Sequence, residues 1–133
     1  MMTFAAMILA PRNILYHFIA DEALKKMQLT SEQRKNIFLI FKETLHNIVK
    51  YADCKKVSIE LSVKNNDLMM TIQDDGKGFE GAQIAANKIF PESEYIGGNG
   101  IKNMHARAND MHAKLSIHSK INEGTIVQLT LRV

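Results

Sequence analysis

The sequence predicts an α+β fold: a two-layer sandwich in which helices cover one face of a mixed, largely antiparallel sheet. Three observations carry this. Val57, Ile59, Leu61 and Val63 alternate with Ser58, Glu60, Ser62 and Lys64, and after Asn65-Asn66-Asp67 the residues Leu68, Met70 and Ile72 alternate with Thr71 and Gln73, which makes a hairpin of half-buried strands. Leu115 and Ile117, the turn Asn122-Glu123-Gly124, and Val127, Leu129, Leu131 and Val133 make a second hairpin. Before the first the period changes: Ile37, Phe41, Leu45, Ile48 and Ala52 recur at helical spacing, in a stripe roughly 80° wide that can be buried. Hairpins separated by amphipathic helices bury both kinds of apolar surface by stacking helices on one side of a sheet.

Taken in order, Phe4 to Ala10 is an apolar run that Pro11-Arg12 ends; it is too short to span a bilayer and no basic residue precedes it, so it reads as a packing helix. Ile14 to Ala20 alternates with both faces apolar, a strand whose edge or central place is open. Asp21 to Leu29 is mixed. Thr30 with Gln33 three residues on is a capping box, and it starts a helix that runs to about Ala52, where Asp53-Cys54-Lys55 breaks the pattern. Phe79 to Glu94 has no period and reads as a lid or binding loop. Ile101, Met104, Ala108 and Met111 mark a last helix that begins at Gly98-Asn99-Gly100.

At 133 residues and 46% hydrophobic composition, the chain suits one domain, residues 1–133, with a real core. Its abrupt apolar start reads as a fragment of something longer. The net charge of +3 comes from cations interspersed with acids, and tryptophan is absent, which argues against a nucleic-acid surface. Cys54 is the single cysteine, so no internal disulfide forms, a reducing compartment is expected and the thiol reads as inert.

The chemistry-bearing residues fall in three pieces. Glu43, Asn47 and Lys50 share a helical stripe centred roughly 150° from the apolar one. Alone, such a triplet is ordinarily a solvated face. Asp74 ends a strand and is followed by Gly76 and Gly78; a carboxylate there, with backbone able to approach closely, can accept from an exocyclic amine, and the plain alternative is an Asp-Gly turn. Gly98 and Gly100 before a helix expose N–H groups backed by the helix dipole, which suits phosphate. Glu43 and Asn47 offer hard oxygens of the kind magnesium takes while keeping several waters. Gly76 to Gly81 matches the letters of the dinucleotide fingerprint, but no parallel strand-helix-strand unit with a following acid surrounds it.

Together these pieces resemble the ATP-binding domain shared by sensor histidine kinases, gyrase, Hsp90 and MutL. Glu43 to Ala52 looks like its N box, Asp74-Asp75-Gly76-Lys77-Gly78-Phe79 its G1 box, Gly98 to Met104 its G2 box and Gly124-Thr125 its closing Gly-Thr, so the resemblance covers nearly the whole chain. It is nearest to sensor histidine kinases with Glu at the head of the N box. The resemblance implies a Bergerat-type fold, ATP as substrate and Mg2+ as cofactor, with Glu43 and Asn47 as catalytic and metal residues. It implies an ATP site of Asn47, Lys50, Tyr51, Asp74, Gly76, Gly78, Phe79, Gly98, Gly100, Ile101 and Thr125. It also implies cytoplasmic phosphoryl transfer to a histidine on upstream dimerisation helices of a dimeric parent, a response regulator downstream, and an isolated domain that is monomeric. Tyr51 stands where His is customary, Met111-His112-Ala113 replaces a Gly-containing turn with an expected effect on packing, and Phe90-Pro91 hints at a lid motif. Rival readings are an anti-sigma-type serine protein kinase and a nucleotide-responsive module without phosphoryl transfer.

Overall fold

A computed structural model describes residues 1–78, 83–84 and 100–132, without the side chains of Tyr51, Gln83 and Ile84. The strands are β1 (Leu15–Ala20), β2 (Lys56–Lys64), β3 (Asp67–Asp74), β4 (Gln83–Ile84), β5 (Lys114–Lys120) and β6 (Gly124–Arg132), and they form one sheet in the order β1-β2-β3-β6-β5-β4. β1 pairs parallel to β2 and every other pair is antiparallel. β1 is thus an edge strand, with Tyr16 and Phe18 half-buried and Leu15 and Ile19 exposed. Asn65 and Asn66 both take positive φ, the two-residue turn that suits the right-handed twist of a hairpin.

Period-two alternation puts Val57, Ile59, Leu61, Leu68, Met70, Ile72, Ile117, Val127, Leu129 and Leu131 in one buried cluster with Ile37, Ile40, Phe41 and Leu45 of the long helix α2 (Ser31–Asn47). Ser58, Glu60, Gln73 and His118, on the opposite parity, are exposed, so one face of the sheet is open. Fully buried side chains of this size contribute about 1.5–3 kcal/mol each. The short helix α1 (Met2–Leu9) packs on α2 through Phe4, whose ring meets Phe38 and Phe41 edge-on at 5.7 and 6.2 Å.

The start of α2 is as expected: the Thr30 hydroxyl accepts from the Gln33 N–H at 3.0 Å and the Gln33 side chain accepts from the Thr30 N–H at 2.9 Å. Its end is not. From Ile48 to Ala52 the winding is π, one residue wider per turn, before Asp53 turns left-handed at φ 51°. A continuous 3.6 period therefore misplaces the last polar residues of this helix.

The helix α3 (Gly100–Asp110) begins at Gly100 and buries Ile101, Met104, His105 and Ala108. His112, after its end, has φ 56°, and the Ala113 N–H closes back on Ala108 O at 2.9 Å. This is the left-handed position at which helices favour glycine, so the departure at Met111-His112-Ala113 strains the backbone rather than only altering packing. Within the aperiodic stretch, Gln83–Ile84 pairs with Ile117 and His118, an edge that the sequence did not announce. Phe79, Gly98 and Phe90-Pro91 lie outside the described residues.

Candidate functional site

The site is built on one rung of the sheet. Asp74, the last residue of β3, lies opposite Thr125 of β6, which lies opposite Ser119 of β5. Sharing the parity of Ile72, Val127 and Ile117, all three face the helices. The Asp74 residue is only 4% exposed, and its Oδ1 accepts from the Gly76 N–H at 2.8 Å. Burial raises its carboxyl above the ordinary carboxylate value; the Gly76 and Thr125 N–H groups oppose that, and the Asp75 charge adds to it. No lysine or arginine among the described residues pairs with it. The result is a buried, directional acceptor with capacity to spare.

Its neighbour has another task. Asp75 Oδ1 accepts from the Lys55 and Lys56 N–H groups at 2.9 Å each, and its carboxyl is lowered, first by the Lys56 bond. The chain then turns back on the π segment: the Lys77 N–H donates to Ala52 O at 2.8 Å, and a Cβ at Gly76 would run into the Ala52 carbonyl. Gly78 has φ 61° and lies against the Lys120 carbonyl. The glycines expected to admit a ligand are thus required first by close approach to the protein's own backbone, although Gly78 also lines the recess beside Asp74.

That recess has Asp74 and Thr125 on its floor, with Ile72, Ile117 and Val127. Thr44 and Asn47 of α2, with Ile48 and Ala52 of the π segment, form one wall, and Ile101 and Met104 of α3 the other. The two walls are joined where the buried Thr44 hydroxyl reaches Met104 Sδ at 3.3 Å. The cavity is about 40 Å3, with one carboxylate in mostly apolar walls. A flat, mostly apolar ligand carrying a hydrogen-bond donor on its edge matches that chemistry.

Glu43 and Asn47 are half-buried rather than on a solvated face. Asn47 lines the recess; Glu43, one turn earlier, sets its carboxylate against Gly100, where any Cβ would collide with Oε1. A carboxylate at the first residue of α3 sits at the positive end of its dipole. Lys50 is exposed on the π segment and does not line the recess, nor does Glu43. The structure therefore brings together Asn47, Asp74, Gly78, Ile101 and Thr125, with Glu43, Gly76 and Gly100 as close neighbours. Sequence reasoning missed Thr44, Met104, Ile72, Ile117 and Val127 as site walls. Their helical and strand periods mark them as core, which they also are.

Residues 32–133 match the family described as histidine kinase-, DNA gyrase B-, and HSP90-like ATPase. The chain belongs to this family. Its ATP-binding domain is of the sensor histidine kinase type. The sensor protein VraS of Staphylococcus aureus (strain COL) is 33% identical over 94 residues, 71% of this chain and 24% of that protein. The sensor histidine kinase LiaS of Bacillus subtilis (strain 168) is 28% identical over 98 residues, 74% of this chain and 24% of that protein. The chain thus spans about a quarter of the length of these relatives. The histidine kinase domain of the blue-light activated kinase of Erythrobacter litoralis EL346 shares the fold, with a TM-score of 0.74 at 21% identity over 98% of this chain and 56% of the other. No described helix is long and apolar enough to cross a membrane.

Proposed function

We propose that this ATPase-family domain binds Mg-ATP with its adenine edge on Asp74, and transfers the γ-phosphoryl group to a histidine on upstream dimerisation helices of a parent sensor kinase. The observation that carries the reading is Asp74 itself: a buried carboxylate without a cationic partner among the described residues, lining a mostly apolar slot, in a chain of this family. Its spare lone pairs suit an exocyclic amine, and the apolar walls suit the faces of a purine.

Asn47 and Glu43 fit magnesium as an incomplete donor set: an amide oxygen and a carboxylate one turn apart, with no cluster of three or more ionisable ligands among the described residues. Magnesium characteristically completes such a set with waters and phosphate oxygens. When bound, it would neutralise charge on the phosphates. The N–H groups at the start of α3, including that of Gly100, would receive the phosphates, and Gly98, Lys50, Tyr51 and Phe79 keep the roles implied by the resemblance. In the transfer, a ring nitrogen of the accepting histidine bonds to the γ-phosphorus as the bond to the leaving ADP oxygen breaks; the chain's part is to hold donor and acceptor in line.

No resident acceptor suits that geometry. His46 is half-buried with its ring 5.8 Å from that of Phe4, on the α1 side of α2. Incubated with γ-labelled ATP, the chain alone should gain no acid-labile label, and adding the parent's upstream helices should produce it. Robust label on the isolated chain overturns the reading, and acid-stable label on a partner favours the serine-kinase alternative. A response regulator downstream, a dimeric parent, and a monomeric, cytoplasmic catalytic domain belong to the same proposal.

A further inference from the structure

We propose that two copies of this chain pair edge to edge through β1, antiparallel and centred on His17, so that one sheet continues into the other. The inference goes beyond the nucleotide site and does not use it. β1 ends the sheet, and among the described residues nothing pairs with its outer side. The Leu15 N–H donates to Lys55 O at 2.9 Å and the Asp21 N–H to Leu61 O at 2.8 Å, so the odd-numbered backbone groups are committed to β2. Those of Tyr16, Phe18 and Ala20 therefore point outward. Sheet edges are ordinarily guarded by charged side chains, proline or a bulge. Leu15–Ala20 holds no acid, lysine, arginine or proline and pairs with β2 without a bulge. It also shows Leu15 at 67% and Ile19 at 54% exposure on the open face of the sheet.

The strand is complementary to itself. A contact between identical patches has two-fold symmetry, which on a sheet edge means antiparallel strands. Centred on His17, that pairing sets Tyr16 opposite Phe18 of the second copy, a hydrogen-bonded pair that exchanges both its N–H···O bonds. Leu15 falls opposite Ile19 of the second copy, on a rung where side chains come closest, so each exposed apolar residue covers the other. A centre one residue later would put Leu15 against Asp21, and one residue earlier Ile19 against Asn13. The charges outside the strand agree with the His17 centre. Arg12 precedes β1, Asp21 and Glu22 follow it, and all are exposed. Antiparallel strands bring the basic end of each copy to the acidic end of the other, with Arg12 toward Glu22, and such complementarity fixes register. A single strand-to-strand contact is smaller than the interfaces of permanent dimers. The domain is thus a monomer when dilute and pairs where copies are held close.

The test is sedimentation velocity from micromolar protein to about 1 mM, the local concentration that tethering gives. The wild type should become dimeric toward the upper end, and Ile19→Lys should weaken pairing about tenfold. Arg12→Glu and Glu22→Arg should each weaken it about threefold. An equimolar mixture of those two variants should pair as well as the wild type, because both contacts between the copies are again opposite in sign. Register is read by mild oxidation of single cysteines in a Cys54→Ser background. His17→Cys faces itself across the two-fold at a separation that a disulfide spans, and should link. Leu15→Cys and Ile19→Cys should each stay unlinked, and their mixture should link. These positions are exposed, so the substitutions spare the core. A wild type that stays monomeric throughout, a dimer indifferent to Ile19→Lys, or equal linking of the three single-cysteine variants overturns the inference. None of these readouts needs nucleotide, so their failure leaves the ATP reading standing, and failure to bind ATP leaves the pairing standing.

Discussion

β3 begins and ends on an aspartate, and the two could hardly be used more differently. Asp67 faces Arg132 on the first rung of the β3–β6 ladder and accepts from its Nε at 3.1 Å, with the arginine side chain 81% exposed. Asp74 faces Thr125 on the last rung, buried and without a cation among the described residues. Their separation of seven residues is odd, so along a strand they point to opposite faces. Asp67 shares the open face with Thr71 and Gln73; Asp74 shares the covered face with Ile72. The parity of one strand thus turns one residue type into a solvated ion pair at one end and a desolvated ligand acceptor at the other.

The largest effect that tests this contrast is at the buried end. Asp74→Asn should weaken ATP binding about 100-fold by calorimetry, because an acceptor aimed at an amine becomes partly a donor. The same variant should melt no lower than the wild type at pH 7. Burial raises this carboxyl, so between its ordinary value of 3.8 and the raised one the folded state holds more protons than the unfolded state, and wild-type stability falls as pH rises through that window. Removing the charge removes that slope. Unchanged affinity would remove Asp74 from the site, and collapse of the fold would make it an ordinary structural residue.

His105 sharpens the contrast, since it too is buried but does not line the recess, and neither ring nitrogen has a partner among the described residues. Burial lowers its pKa, so as pH falls below 6.5 the unfolded chain takes up the proton first and stability is lost. His105→Leu should raise stability by about 1–2 kcal/mol, flatten that acid slope and leave ATP affinity unchanged. A loss of affinity would mean that His105 too belongs to the site. Asp75→Ala, which removes the acceptor of two backbone N–H groups, should cost about 1 kcal/mol by analogy with a lost helix cap. Because its carboxyl is lowered, the wild-type advantage is present above pH 3.8 and lost as pH falls through the lowered value. Smallest of all, Asp67→Asn should shift stability by less than about 0.5 kcal/mol and fade further in salt.

Much of this is legible in the amino-acid sequence alone. The alternation around Ile59 and Met70 fixes which strand residues are buried, and the Thr30–Gln33 pair marks the start of α2. Asp74 stood out by its place at a strand end before glycines. What stayed hidden has physical causes. Glu43 and Asn47 look solvated on a helical wheel because a wheel knows nothing of α3, which closes over them. The π winding after Asn47 leaves no signature in apolar spacing, since Ile48 and Ala52 are buried either way. Gln83–Ile84 pairs through its backbone on an edge, where side-chain pattern says little.

The wider turn from Ile48 to Ala52 makes two segments distant in sequence into one mechanical part. The carbonyl of Ala52 holds the Lys77 N–H, its carbonyl and Cβ leave no room beside Gly76, and Asp75 pins Lys55 and Lys56 just beyond. A ligand that tugs on Asp74 therefore pulls on the end of α2, and a push along α2 from outside the domain arrives at Asp74. Deleting a single residue from 48–52 would let the helix rewind as α, swinging this coupling roughly 100° off its seat while leaving the residues that face the recess chemically intact. Such a chain would keep every group needed to recognise a nucleotide and lose the linkage that lets one end of the site sense the other.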